Sequence, residues 1–179
     1  MARLILLITV PIMLALAGLF GATAASGQQS AADPIPYEEV VSLDAERLAE
    51  GGMIEVYDEI EPVIVSHGGR PDTVQAHSDE TSGRYSIEHR GITYPVSGGD
   101  ISVAQGWGNA AAVFFEIVNR QMEGSGYRFY ALNHGNDLQG VFLTDKQYAA
   151  ARVFHRKGAD TPFLPTREPP MFGMPDDRP

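Results

Sequence analysis

Hydrophobic positions recur along this chain with changing period, and each change of period marks a new element. Leu48, Gly52, Val56, Ile60 and Ile64 are spaced four apart, as on one face of a helix. Gly51-Gly52 and Pro62 interrupt the stripe, so the pattern predicts a short helix over 43–50, a break at the glycines and a longer helix over 53–67. Gly68-Gly69 with Pro71 close behind is a stop signal, because glycine accepts the left-handed cap and proline cannot continue the helix.

From 73 to 96 the period falls to two. Pairing Asp79 with Arg84 across the Glu80-Thr81-Ser82-Gly83 turn sets Thr73, Gln75, His77 and Asp79 opposite Arg90, Glu88, Ser86 and Arg84, a wholly polar face. The other face carries Val74, Ala76 and Ser78 opposite His89, Ile87 and Tyr85. A third strand adds Ile92, Tyr94 and Val96 after the Arg90-Gly91 turn. This is the alternation of an antiparallel meander with one face on a core.

Helical spacing returns in Val103, Trp107, Ala111, Phe114, Val118 and Met122, opened by a possible Ser102/Gln105 capping box. Gly106 and Gly108 weaken the first turns, which places the regular helix from Asn109. Segments 127–133 and 138–143 then form a hairpin apolar on both faces, as in the middle of a sheet. A second capping box, Thr144/Gln147, starts a last helix ending near Phe154. The order predicts an α+β fold: one largely antiparallel five-stranded sheet (three-stranded meander, helix, hairpin) on one long helix, with an N-terminal helical segment and a short C-terminal helix.

Composition adds boundaries. The chain has 179 residues, 13 Lys plus Arg against 23 Asp plus Glu, a formal net charge of -10 and no cysteine. That length suits one domain. Disulfides, thiol nucleophiles and cysteine-containing zinc sites are excluded. The acidic balance opposes unassisted binding to nucleic-acid phosphates, so no nucleic-acid partner is expected. At the N-terminus, Arg3, the apolar run Leu4 to Phe20 and Ala22-Thr23-Ala24 read as a signal peptide cleaved after Ala24 or one residue later. The rival reading is a retained membrane anchor, against which Pro11 and the small-residue exit argue. The expected layout is signal peptide 1–24, spacer 25–41, globular domain 42–157 and Pro-rich tail 158–179. Localisation would be periplasmic or secreted, with no stable membrane association after cleavage. Six prolines in the last 22 residues rule out regular structure there. Truncation after Lys157 is then expected to leave the fold intact, unless Phe163, Leu164, Met171 or Phe172 anchors the tail on the domain.

No HExxH, GxxxxGK[ST], GxSxG or EF-hand motif is present; no metal or cofactor is assigned. The five histidines, His67, His77, His89, His134 and His155, are dispersed, and none pairs with another at i+4. His77 and Asp79 share the polar strand face, where cross-strand ion pairing is the simpler reading than acid-base chemistry. Asn133-His134-Gly135-Asn136-Asp137 is the most concentrated polar group: its imidazole, carboxylate and carboxamides could hydrogen-bond a ligand or hold a cation. The same residue types are also what a positive-φ turn requires. Trp107 offers a stacking face between two glycines, or it plugs the end of the core, the reading its place in the stripe favours.

Residues 38–61 hold nine acids against Arg47 alone, a field able to steer a basic partner. Glu55 and Glu59, one turn apart, could also be proposed as paired carboxylates. The candidate binding residues are therefore Trp107, Asn133, His134, Asn136 and Asp137. The expected function is non-catalytic binding of a protein or small-molecule partner by an exported domain. The alternative is a small hydrolase, metal-dependent or not, with its site at the 133–137 tip.

Overall fold

The glycine break is where the chain first turns. Asp44 caps α1 (Ala45–Ala49) by accepting from the Glu46 and Arg47 amides at 2.9 and 3.2 Å. Gly51 then adopts φ +103° and the chain re-enters helix as α2 (Met53–Ser66). Pro62 lies inside α2 without ending it. The computed structural model describes residues 32–156, 158, 160–168 and 173–174. The 1–24 segment, residues 25–31 of the expected spacer, and Met171 and Phe172 lie outside them.

After β1 (Val41–Ser42) and the two helices come β2 (Val74–Asp79), β3 (Arg84–His89) and β4 (Ile92–Ser97), then α3 (Val103–Gln121), β5 (Tyr127–Leu132), β6 (Gln139–Thr144) and α4 (Asp145–Phe154). The class is α+β, but the strands form two three-stranded antiparallel sheets, ordered β2-β3-β4 and β1-β6-β5, instead of one sheet of five. The reason lies in α3. Its Asn109 donates to the Pro95 and Val96 carbonyls of β4 at 2.8 and 2.9 Å. Its Asn119 accepts from the Phe129 amide of β5 at 2.8 Å and donates to the Phe129 carbonyl at 2.9 Å. Two carboxamides on one helix thus occupy the edges that a continuous sheet would have joined.

In the meander the register is Asp79↔Arg84 through Val74↔His89, as the alternation requires. Ile87, His89, Tyr94 and Val96 are buried against Val56, Ile60 and Ile64 of α2 and Phe114 and Val118 of α3. Each large apolar side chain buried there contributes about 1.5–3 kcal/mol. The expected inner face is shorter than the pattern implies: beyond half-buried Val74, every β2 residue is exposed. Ile92, expected inward, is also exposed.

The other sheet is covered on both faces. One side carries Phe129, Ala131 and Phe142 into the main core, and the other carries Tyr130, Leu132, Val141 and Leu143 against Ala151 of α4. Phe129, stacked 4.6 Å from Phe115, lies directly on Gly140, where a Cβ would overlap the ring. α3 is regular from Val103 onward because the Ser102/Gln105 box forms, and the Thr144/Gln147 box starts α4.

The fold reaches past 42–157 at both ends. β1 pairs with β6, and Ile35, inside the stretch read as spacer, is 3% exposed in the α4-side cluster. Asp33 meets His155 at 2.9 Å. Burial alone would raise the Asp33 pKa, but the Ile35 amide and His155 outweigh it and hold the carboxyl below its usual range. Tyr37 is pushed up to about 12 by burial and by its bond to Asp160. In the tail, Phe163 is 7% exposed and exchanges two backbone hydrogen bonds with Ala131, at 2.8 and 3.0 Å. Proline forbids a long strand there but permits this single bridge. Phe163 thus anchors the tail on the domain, the alternative its apolar residues offered.

Candidate functional site

The 133–137 tip is built by backbone geometry. Asn133 has φ +57° and Gly135 φ +66°, and Gly135–Asp137 forms one 3-10 turn. His134, Asn136 and Asp137 are exposed. Asn133, Asn136 and Asp137 border a shallow depression of about 360 Å³ shared with Ser42 and Leu43. No hydrogen bond joins His134 to Asp137 among the described residues. Trp107 sits on α3, 37% exposed, with neither a hydrogen bond nor a ring contact to the tip among the described residues. The core-plug reading fails at this end of the stripe, where Val103 too is exposed, because the buried side of this turn is the one that carries Gly106. The structure therefore brings Asn133, Asn136 and Asp137 together and leaves Trp107 apart. Among the described residues no group of three or more His, Asp or Glu side chains is placed to hold a metal ion.

A larger cavity, about 600 Å³, opens elsewhere. It exists because the C-terminal segment leaves β5 after Phe163 and crosses toward α3, creating a wedge between strand edge, helix and segment. Ala112, Phe115 and Leu164 supply apolar surface, while Glu116, Glu123, Glu168, Arg120, Arg128 and Arg167 supply charge. Glu116 is shared by two guanidiniums: Arg120 donates to Oε1 at 3.0 Å, and Arg167 lies 3.6 Å from Oε2. The lining is balanced overall, three acids against three arginines, but Glu116 takes two of the cations. Arg128 has no carboxylate within ion-pair distance among the described residues. A volume of this size is typical of small-ligand sites.

Behind this wall lies Tyr94, 1% exposed, with the Arg167 guanidinium 5.3 Å from its ring centroid. Its hydroxyl is buried beside Glu116 without a partner in hydrogen-bond geometry. Burial, aided by the Glu116 charge, raises the Tyr94 pKa, so the phenol stays protonated at neutral pH. The Arg167 Nε is likewise buried and unpartnered.

The remaining candidates resolve into structural roles. His67 stacks on Phe142 at 4.7 Å. His77 pairs across strands with Glu88 at 3.2 Å, and Asp79 accepts from its own turn at Thr81 and Ser82. Glu59 of the Glu55/Glu59 pair is bridged to Arg47 at 2.9 Å. His89 is buried, with Nε2 3.5 Å from Gln121 Nε2, and Gln121 Oε1 lies 2.9 Å from the Tyr57 hydroxyl. Burial, then the Arg90 charge, lowers the His89 pKa.

The wedge residues were not legible in the sequence. The one signal was the i,i+4 spacing of Glu116 and Arg120, which occurs on many exposed helices. Arg167 follows Pro165-Thr166 in a segment with no periodicity. Comparison with protein-family models, with curated proteins and with solved structures found no match to this chain.

Proposed function

We propose that this protein is an exported, non-catalytic binding domain that takes a small carboxylate with an apolar body into the wedge between α3 and the C-terminal segment. The observation that carries the reading is Glu116 shared between Arg120 and Arg167, beside an Arg128 with no acid partner among the described residues. Because Glu123 and Glu168 also line the wedge, the capacity for an incoming anion lies at Arg128, and arginine binds carboxylates through paired N–H donors. Ala112, Phe115 and Leu164 offer apolar contact for the rest of the ligand. The export part rests on the Arg3, Leu4 to Phe20 and Ala22-Thr23-Ala24 pattern.

Calorimetric titration with octanoate, octylammonium and octanol tests the ligand class. Octanoate should bind most tightly, and Arg128→Gln should weaken it roughly tenfold, the loss of one charge-assisted hydrogen bond. Equal affinity for octanol, or no effect of Arg128→Gln, would remove the wedge as an anion site. Intact-mass measurement on protein recovered from an exporting host tests the rest: the expected species begins at residue 25 or 26.

A further inference from the structure

The strand edges of this protein are treated unequally. β5 is closed at each outward position: Tyr127 N–H donates to Ser125 Oγ at 3.0 Å, Phe129 is held by Asn119, and Ala131 by Phe163. β4 carries Pro95, which has no N–H to offer, and Asn109 occupies its carbonyls. β1 is two residues long. Such devices keep sheet edges from pairing with other chains. β2 has none of them. It runs six residues, and among the described residues its outer backbone groups bond to nothing. From Gln75 to Asp79 it is exposed on both faces.

The surroundings of this edge select a partner. At its start lies a polar cleft of about 440 Å³ lined by Tyr57, Asp58, Glu61, Asp72 and Val74 among others. Asp72 is paired with Arg90 at 2.9 Å, which holds its carboxyl below the usual range, whereas Asp58 and Glu61 have no cation within ion-pair distance among the described residues. These two exposed acids lie three residues apart on α2, on one helical face beside the strand.

We infer that β2 accepts an extended segment of a basic partner protein as an added strand, with a Lys or Arg of that segment entering the Asp58/Glu61 cleft. Main-chain hydrogen bonds along β2 would supply affinity, and the acids would supply selection and orientation. A second copy of this chain fits the edge poorly, because antiparallel pairing of β2 with itself would bring two such acidic clefts and two chains of net charge -10 together. The inference is independent of the wedge, which lies on α3 and the C-terminal segment.

Three ten-residue peptides test it against the full chain by titration and amide hydrogen exchange: alternating Thr-Lys, alternating Thr-Glu, and Thr-Lys N-methylated on every second backbone nitrogen. The Thr-Lys peptide should bind and slow exchange within Gln75–Asp79. The Thr-Glu peptide should not bind, and N-methylation, which keeps the charge but blocks strand pairing, should weaken binding at least roughly tenfold. Asp58→Asn with Glu61→Gln should weaken it comparably, whereas Glu46→Gln with Glu50→Gln, an equal loss of charge on and after α1, should not. Absence of binding, equal binding of the N-methylated peptide, or equal effects of the two double variants would overturn the inference. So would concentration-dependent self-association that protects the β2 amides, which would assign the edge to a second copy.

Discussion

The Asn119 carboxamide holds both backbone groups of Phe129, accepting from its N–H at 2.8 Å and donating to its carbonyl at 2.9 Å. One side chain does there what a neighbouring strand would otherwise do, and it fixes the distance between α3 and β5. Asn119→Ala should remove two hydrogen bonds and uncover a strand edge, at a cost of about 2 kcal/mol. The expected fall in unfolding midpoint is roughly 6 °C, read by thermal denaturation. Asn119→Ser should recover part of it.

Gly140 and Gly135 should separate packing from backbone strain. At Gly140 an added methyl collides with the Phe129 ring in a fully buried layer, so Gly140→Ala should cost about 3 kcal/mol, at the upper end of overpacking penalties. At Gly135 nothing lies near the added methyl, and only the positive φ opposes it, so Gly135→Ala should cost about 1 kcal/mol. Urea titration of the two variants checks the order. A larger effect at Gly135 would contradict the packing account.

Phe163 should behave as a core residue despite its place among prolines. Phe163→Ala should destabilise by about 3 kcal/mol, and truncation after Lys157 by at least as much, since it also removes both bonds to Ala131. Equal unfolding midpoints for full-length and truncated chains would show the bridge to be energetically idle.

Acid should destabilise the fold in two stages. His89 has a folded pKa below 6.5, so the unfolded chain binds its proton more readily. Stability from this group is complete above pH 6.5 and is lost as pH falls below it. Asp33, Asp72 and Asp79, all lowered from 3.8, add a second loss below that value. In a series of unfolding midpoints against pH, His89→Gln should flatten the upper stage and leave the lower one.

How far the sequence carried depended on the range of the interaction. The β2–β3 register was legible because polar and apolar residues alternate on both strands and the turn between them is short. Both capping boxes were legible for the same reason: partner residues lie three apart. The split into two sheets was not, because it depends on Asn109 and Asn119 reaching strands ten or more residues away, and asparagine in a helix has no periodic signature. β1 escaped notice because two residues cannot show alternation. Among the candidate residues, the turn chemistry of Asn133 and Gly135 was readable locally. The meeting of Arg167 with Glu116, fifty-one positions apart, was not.

The pairing of β1 with β6 sets the order in which this chain can be completed. Val41 finds its partner at Gly140, so one sheet closes only when nearly the whole chain is available, whereas the β2-β3-β4 meander can assemble from a contiguous stretch. Closing so long a loop is entropically slow relative to local hairpins. A chain emerging N-terminus first would therefore carry a formed meander and an unfinished second sheet until β6 appeared. The aromatic residues of β5, Phe129 and Tyr130, would be the surface most in need of protection during that interval.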